Sequence, residues 1–315
     1  MKDRKKIAVI GSINMDLTAR TERLPAGGET VPAKELLYAP GGKGANQAVA
    51  AARLGGDVTM FGCVGEDAFA DRLVENLRQN GVDTTHIRSV PGVSSGIAMI
   101  TVAEASGENS IVVVPGANRF VTPAYVDDLQ DAILQADILL LQNEVPPETV
   151  AAAIDLGHRA GKTVLYNPAP AMTLPDGTMK KIHYLTPNEH EAALLFPHIP
   201  ALPSLPELYG GKLIVTLGEQ GAMAWDSDRG KLLHIPARPA HVVDTTGAGD
   251  TFNGAFAYAL SEGYAEGYAE GYAEGYAFAD ALRFANIAAS LSTERPGAQG
   301  GMPTKNEVLA AMHAV

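Results

Sequence analysis

Short apolar runs alternate with helix-patterned stretches along most of this chain, and no other feature constrains its fold as tightly. Strand-like runs fall at 7–10, 58–63, 138–141, 163–166, 182–185 and 213–216. Between them, 67–80 places Phe69, Leu73, Val74 and Leu77 on one helical face and closes at Gly81. The stretch 147–160 carries Pro147 in its first turn and ends at Gly161, the asymmetry that helices favour. Such alternation predicts an α/β fold, a mostly parallel sheet with helices on both faces. Two stretches, 18–38 and 95–114, break the pattern with strand-like segments around turns at Ala26-Gly27-Gly28 and Ser106-Gly107-Glu108-Asn109. They read as a small β lid built from discontinuous segments, about 13–39 and 94–116, with ordinary surface hairpins as the alternative.

Length and composition narrow the class. At ~150 residues per domain, 315 residues make two domains or one large α/β domain with an appendage. The basic stretch 1–6 precedes the apolar 7–13, but Asn14, Asp16 and Arg20 follow at once, so it reads as a first strand and not as a signal peptide. No run approaches the ~18 apolar residues of a membrane span. Cys63 is the single cysteine, and with no partner for a disulfide the expectation is a reducing, cytoplasmic setting. Acidic residues outnumber basic ones, 36 to 24, for a formal charge of −12. That argues against a broad nucleic-acid-binding face, so an anionic ligand must be held by a local device.

Glycine is over-represented, at 33 residues, and part of the excess is a repeat. Residues 262–277 are EGYA four times over. On a helix this stacks Tyr264, Tyr268, Tyr272 and Tyr276, while each glycine costs ~1 kcal/mol against alanine. It reads as a twelve-residue expansion of one ancestral copy in a helix–helix connection, with a functional tyrosine ladder as the alternative.

Two strings carry chemistry. DTTGAGDTFNG at 244–254 lies between an apolar strand end and a helical run. Gly247, Ala248 and Gly249 would converge backbone N–H groups at a helix N-terminus, making an anion site without net positive charge. Asp250 sits where those amides point, either as a capping residue or as a base beside a transferring phosphoryl group; the full string favours the base. Neither a Walker loop nor a Rossmann fingerprint is present here. The second string, PGGKGANQAVAAARLG at 40–55, sets glycines before an alanine-rich helix, with Lys43 and Asn46 as polar contacts. Its plainer reading is a tight turn with a solvated lysine.

Together these strings resemble the ribokinase-like (PfkB-type) family of carbohydrate kinases, over about 7–303. The ribokinase branch is the nearest likeness, carried also by GSINMD at 11–16, NPAP at 167–170 and TPNE at 186–189. The resemblance implies a single domain with a three-layer α/β/α sandwich and a β lid. It implies ATP-dependent phosphorylation of the 5-hydroxyl of D-ribose, with deoxyribose, fructose, a ketodeoxy sugar acid or a nucleoside as alternative acceptors. A non-catalytic sugar sensor should have lost the base or the glycines, and both are present. By resemblance, Asn14, Asp16, Gly42, Lys43, Asn46 and Glu144 bind the sugar. Asp250 is the base, and the amides of Gly247, Ala248 and Gly249 stabilise developing charge. Asn188 and Glu191 (N-x-x-E) act near Mg²⁺ and the phosphates, Glu191 through water. Thr216, Gly218 and Gly221 form the nucleotide loop, and Asn286 falls at the adenine pocket. An activating K⁺ is implied at Asp244, Thr246, Ser292, Arg295, Gly297 and Gly301. Gly301 replaces an expected serine, so a carbonyl or water would serve there. The family's lid often pairs with a partner's lid, which implies a homodimer. The stretch 196–210 is shorter than usual, which implies a truncated helix, and the EGYA expansion should protrude ~20 Å from the site.

Overall fold

The computed structural model describes residues 5–175, 177–197, 204, 213–226, 230–263 and 277–313. Residues 264–276, most of the repeat, and nearly all of 198–212 lie outside the described residues, so the expectations for the expansion and for a truncated helix fall there. In chain order the first half runs β1 (Ile7–Ile10), β2 (Asn14–Thr21), β3 (Ala33–Gly41), α1 (Lys43–Arg53), β4 (Val58–Gly65) and α2 (Ala70–Gln79). It continues with β5 (Ile87–Val90), β6 (Gly96–Ala103), β7 (Asn109–Val114), α3 (Pro123–Asp128), α4 (Gln130–Ile133), β8 (Ile138–Leu141) and α5 (Pro147–Arg159). Then come β9 (Thr163–Tyr166), β10 (Tyr184–Leu185), α6 (Glu189–Leu195), β11 (Ile214–Thr216), β12 (Ala222–Asp226) and β13 (Lys231–Ile235). Last are α7 (Ala248–Ser261), α8 (Ala277–Ser292), α9 (Ala298–Gly301) and α10 (Lys305–His313).

Six strands form the central sheet in the order β10-β9-β8-β1-β4-β5, every pairing parallel. Because side chains alternate along a strand, Ile7 and Val9 of β1 enter one core with α1, α7 and α8. Ala8 and Ile10 enter a second core, with α3 and α5, on the other face. This is the α/β/α sandwich anticipated from the alternation. An antiparallel extension, β11-β12-β13, joins β10 through single parallel bridges at Leu185–Leu213 and Asn188–Thr216. Among the described residues no helix is long and apolar enough to cross a membrane.

The stretches that broke the alternation supply a separate four-stranded sheet, β3-β2-β6-β7. Its two antiparallel hairpins are joined by parallel pairing of β2 with β6, from Asn14–Gly96 to Thr21–Ala103. Two boundaries moved for local reasons. The helix expected from 67 starts at Ala70, because the Asp67 carboxylate accepts the N–H groups of Phe69 (3.0 Å) and Ala70 (3.1 Å) ahead of the first turn. The strand expected at 182–185 keeps only Tyr184–Leu185, since Thr178–Lys181 winds into a 3₁₀ turn just before it.

Candidate active site

The two glycine-rich strings, some two hundred positions apart, meet at the N-termini of α1 and α7. The first turn of α1 is capped from outside its own sequence. Glu144, in the loop after β8, accepts the Lys43 N–H at 3.0 Å, Ser12 Oγ accepts that of Gly44 at 3.3 Å, and the Ser12 carbonyl accepts that of Ala45 at 2.9 Å. A carboxylate at a helix N-terminus is favourably placed against the dipole. The N-cap of α7 is Gly247 at φ +76°, where an added Cβ would lie 2.8 Å from that of Ala298. Only glycine meets both demands.

Asp250, in the first turn of α7, is 7% exposed. Its Oδ2 accepts Asn46 Nδ2 at 2.9 Å and its Oδ1 accepts Gln47 Nε2 at 3.0 Å. Asn46 is braced in turn by Gln299 Nε2 on its Oδ1, at 2.9 Å. The three amides expected to form the anion site do not all face outward. The Ala248 N–H turns back to the Thr245 carbonyl at 3.2 Å, whereas Gly249 is exposed, with open space where a side chain would stand.

On the sheet side, Glu144 Oε2 also accepts Ser12 Oγ at 2.5 Å and Asn14 Nδ2 at 3.5 Å. Asn14 Oδ1 accepts Asn118 Nδ2 at 2.7 Å. Burial, reinforced by the charges of Glu144 and Asp250, pushes the Asp16 carboxyl up to about 7. Asp250, with Glu144 and Glu191, holds the Lys43 ammonium above its ordinary pKa against the opposing effect of burial. Gly42, at φ +89°, precedes Lys43 as the N-cap of α1. A mainly apolar cavity of about 310 Å³ opens beyond Asn14 and Glu144, walled by Val113, Val145, Pro146 and Pro170.

A polar cavity of about 200 Å³ lies on the other side of Asp250, lined by Lys43, Asn188, Glu191, Thr216 and the 247–249 turn. Asn188 and Glu191 form a capping box on α6, with Glu191 N–H to Asn188 Oδ1 at 2.8 Å and Asn188 N–H to Glu191 Oε2 at 2.9 Å. Burial raises the Glu191 pKa. Three residues expected at the nucleotide site are not among those lining this cavity. Gly218 lies in the exposed turn after β11, Gly221 packs on the Ile235 carbonyl, and buried Asn286 donates to that same carbonyl at 2.8 Å. Gly221 and Asn286 thus meet at the end of β13, beside the start of β12 that pairs with it, and Gly218 sits in the turn that leads from β11 into β12.

The residues expected around a monovalent cation fall into two local groups, Asp244 with Thr246 and Gly297, and the Ser292 and Arg295 carbonyls beside Gly301. The Asp244 carboxylate bridges two loops, taking the Thr246 N–H at 2.9 Å and the Gly297 N–H at 2.8 Å. These bonds outweigh burial and hold its pKa below the usual value. A Cβ on Gly301 would stand 2.3 Å from the Ser292 carbonyl oxygen and 3.3 Å from that of Arg295. Both carbonyls thus approach one point, and a serine there would displace the Ser292 peptide. The side chain of Arg295 turns away to Glu307. A carboxylate with converging carbonyls is a hard, oxygen-only set that fits such a cation. Glu191 beside an open polar cavity fits a divalent ion that keeps most of its waters. Among the described residues no cluster of three His, Cys, Asp or Glu could ligate a metal alone.

Sequence reasoning missed most of the carboxamide network behind Asp250. Gln47 also donates to Asn167 Oδ1 at 3.1 Å and accepts from Gln142 at 2.7 Å. Asn167 donates to the Thr186 carbonyl at 2.9 Å, Thr186 Oγ1 donates to Asn253 Oδ1, and Asn253 donates to the Gly249 carbonyl at 2.9 Å. Gln47, Asn167 and Thr186 lie within strings already singled out, so the missing signal was pairing and not presence.

Comparison with known proteins places this geometry. The model of the pfkB family carbohydrate kinases matches residues 4–305. The chain is 48% identical over 304 residues to the ribokinase of Bacillus subtilis (strain 168), covering 96% of this chain and 98% of that one. It is 42% identical over 261 residues to a deoxyribokinase of Salmonella typhimurium, covering 80% and 84%. The solved structure of Arabidopsis thaliana ribokinase complexed with ribose and ATP superimposes with a TM-score of 0.85 at 33% identity, covering 98% of each chain. With that match running nearly end to end over the fold and both strings described above, the chain belongs to the pfkB family of carbohydrate kinases.

Proposed function

We propose that this protein transfers the γ-phosphoryl group of ATP to the 5-hydroxyl of D-ribose, giving ribose 5-phosphate and ADP, with Asp250 as the base. That it is a phosphotransferase of the ribokinase branch rests on identity to the bacterial relative over nearly the full length of both chains. The observation that carries the mechanism is Asp250 itself, a buried carboxylate held on both oxygens between a polar cavity and the Asn14–Glu144 cluster.

Asn14, Asp16, Lys43, Asn46 and Glu144, with the backbone at Gly42, supply the donors and acceptors for the sugar. A site so equipped rejects analogues that leave its buried groups unpaired. Asp250 takes the proton of the 5-hydroxyl as its oxygen bonds to the γ-phosphorus and the bond to the β,γ-bridging oxygen breaks, so the electron pair leaves with ADP. The Gly249 amide and the α7 dipole face the charge that develops, and the ammonium of Lys43 adds to them. Gly247 lets the turn form, while Ala248 is engaged by Thr245 before substrate arrives. Asn188, Glu191 and Thr216 line the phosphate side. Gly218, Gly221 and Asn286 shape the layer behind it.

Glu191 would hold Mg²⁺ through water, and that ion supplies charge neutralisation on the phosphates. Asp244 with the carbonyls of Thr246, Ser292, Arg295 and Gly297 would hold K⁺, Gly301 contributing close packing in place of a hydroxyl. The four-stranded sheet acts as the lid, and its outer apolar face pairs with a second copy as a homodimer. A single buried cysteine suits the cytoplasm.

The apolar cavity beyond Asn14 and Glu144 leaves room for a substituent on the far end of the sugar, which keeps a nucleoside acceptor in contention. ADP release measured across ribose, deoxyribose, fructose, a ketodeoxy sugar acid and nucleosides, in K⁺ and in Na⁺, decides. Ribose with K⁺ should give the highest kcat/KM. Preference for another acceptor overturns the substrate, and equal rates in the two salts overturn the K⁺ site.

A further inference from the structure

Gln47 stands at the centre of the network around Asp250, and nothing in the proposed reaction uses it. It is fully buried, both its N–H donors are taken and its carbonyl oxygen is engaged. Nε2 donates to Asp250 Oδ1 at 3.0 Å and to Asn167 Oδ1 at 3.1 Å, and Oε1 accepts Gln142 Nε2 at 2.7 Å. The amide cannot be reversed. Asn167 donates to the Thr186 carbonyl at 2.9 Å, which leaves its Oδ1 as the acceptor toward Gln47. A reversed Gln47 would set its own oxygen against that atom and against a carboxylate.

Gln142 shows what this orientation costs. Its Nε2 faces Gln47, while its Oε1 is buried without a hydrogen-bond partner, pressed to the spot where a Cβ of Gly11 would lie 2.1 Å away. An orphaned buried acceptor typically costs about 1–3 kcal/mol. Reversing Gln142 would put two amide oxygens face to face. The fold therefore tolerates an unsatisfied carbonyl at the end of β8 while presenting an N–H to Gln47, and through Gln47 an N–H to Asp250. Uncompensated groups of this kind tend to gather at functional sites.

We propose that Gln47, oriented by Gln142 and Asn167, is a positioning residue that fixes the Asp250 carboxylate for proton transfer. The inference rests on Asp250 being the base. With Asn46 on one oxygen and Gln47 on the other, the carboxylate plane cannot rotate, and each oxygen keeps a lone pair for the incoming hydroxyl. The charged groups facing Asp250 from neighbouring elements are Lys43 of α1, Asp16 of β2 and Glu191 of α6, and Glu144 after β8 in turn faces Asp16 and Lys43.

The test uses Gln47→Met, Gln142→Met and Asp250→Asn in the full chain, reading kcat, both KM values, the acid limb of the kcat–pH profile and Tm. Gln47→Met should lower kcat about 10- to 100-fold, the usual effect of losing such a support, with KM for ATP within about twofold. Its acid limb should move to higher pH. Gln142→Met should move kcat and the limb the same way by less, without lowering Tm, because it also removes the orphaned carbonyl. A merely structural role would lower Tm and leave the limb in place. If Gln47→Met does not fold, Gln142→Met decides, since it does not touch Asp250. Wild-type kcat and acid limb in a folded variant, beside an inactive Asp250→Asn, overturn the positioning role alone. Turnover retained by Asp250→Asn overturns the base assignment and this inference with it.

Discussion

The floor of the site and the four-stranded sheet above it are built on opposite plans. In the floor, α1 meets α7 backbone to backbone, and the carboxamides of Asn46, Gln47 and Asn167 hold one another and Asp250 in a buried net. The sheet instead leaves apolar side chains in water. A row directly opposed across its strands, Tyr38–Leu17–Met99–Val112, ends in residues 44%, 46% and 55% exposed at Tyr38, Met99 and Val112. The adjacent row, Ala39–Asp16–Ala98–Val113, belongs to the other face, the one whose Asp16 responds to Glu144 and Asp250. The difference teaches that this fold fixes the groups around Asp250, the base of the proposed reaction, within the folded chain itself but leaves enclosure to be completed by something that covers apolar surface. Substitutions in the floor should therefore act on kcat, and those in the sheet on sugar capture and association.

The sharpest way to break that contrast is Gly254→Ala. A Cβ there would meet the Gln47 carbonyl oxygen at 2.5 Å and Ala50 Cβ at 2.6 Å, so α7 must move away from α1. Overpacking of this kind typically costs about 1–3 kcal/mol. Because Asp250 rides on α7 and its donors ride on α1, the same movement stretches both bonds to the carboxylate. Steady-state kinetics should show kcat down about 100-fold, the scale of a roughly 1 Å misplacement at a reacting centre, with KM for ribose changed far less. A variant that loses Tm but keeps kcat would mean that the floor is not held by this helix contact.

The same contrast explains what could be read from the chain. Strands β1, β8 and β9 fall on the residues that apolar runs predict, because each is buried on both faces and reads as a continuous hydrophobic string. The antiparallel β12 and β13 escaped notice: KLLHI lies largely exposed and AMAWD alternates between buried and half-buried, so neither makes such a run. In the site, Asp250 and Lys43 could be singled out because each carries its chemistry alone inside a recognisable string, whereas Glu144 came only with the family resemblance. Gln142 and Gln299 were not, since a neutral carboxamide acquires a role only through its partner. Those partners lie 95 residues away for Gln142–Gln47 and 253 for Gln299–Asn46, a distance that no local pattern spans. The Ala248 amide was misjudged for a related reason: the motif announces a convergence of N–H groups but not the Thr245 carbonyl that claims one of them.

Asp16 joins the two regions, and its titration gives the next largest effect. In the sugar-free protein its pKa is raised from 3.8 to about 7, chiefly by burial. The folded state therefore binds a proton more tightly than the unfolded one. The resulting stability is fully present below the unfolded value and is lost as pH climbs through about 7. If Asp16 binds the sugar as proposed, ribose hydroxyls bond more strongly to its ionised carboxylate, so KM for ribose should fall as pH rises from 6 to 8, by at most about tenfold per unit. Asp16→Asn should flatten both the pH dependence of KM and that of the sugar-free Tm. A KM slope that survives in Asp16→Asn would move the titration to another group.

The smallest effect on chemistry is expected from the outer face of the sheet, and it is the most direct probe of what covers that face. Val112 and Met99 are paired partners, both exposed on a face that includes Leu36, Tyr38 and Val114. A monomer seldom leaves contiguous apolar surface of this extent uncovered. Within one chain, Val112→Lys touches only solvent and like neighbours, so a folded monomer should keep its stability within about 0.5 kcal/mol. Between two chains, the same ammonium would be buried opposite apolar side chains, which is strongly unfavourable. If the face pairs with a second copy as proposed, sedimentation should shift from dimer to monomer, kcat at saturating ribose should stay within about twofold, and KM for ribose should rise as the sheet loses its support. If Val112→Lys sediments as the unmodified protein does, the outer face is not the self-contact. If kcat collapses instead of KM rising, the separation between a prepared floor and an unfinished roof fails, because the sheet would then be acting on Asp250.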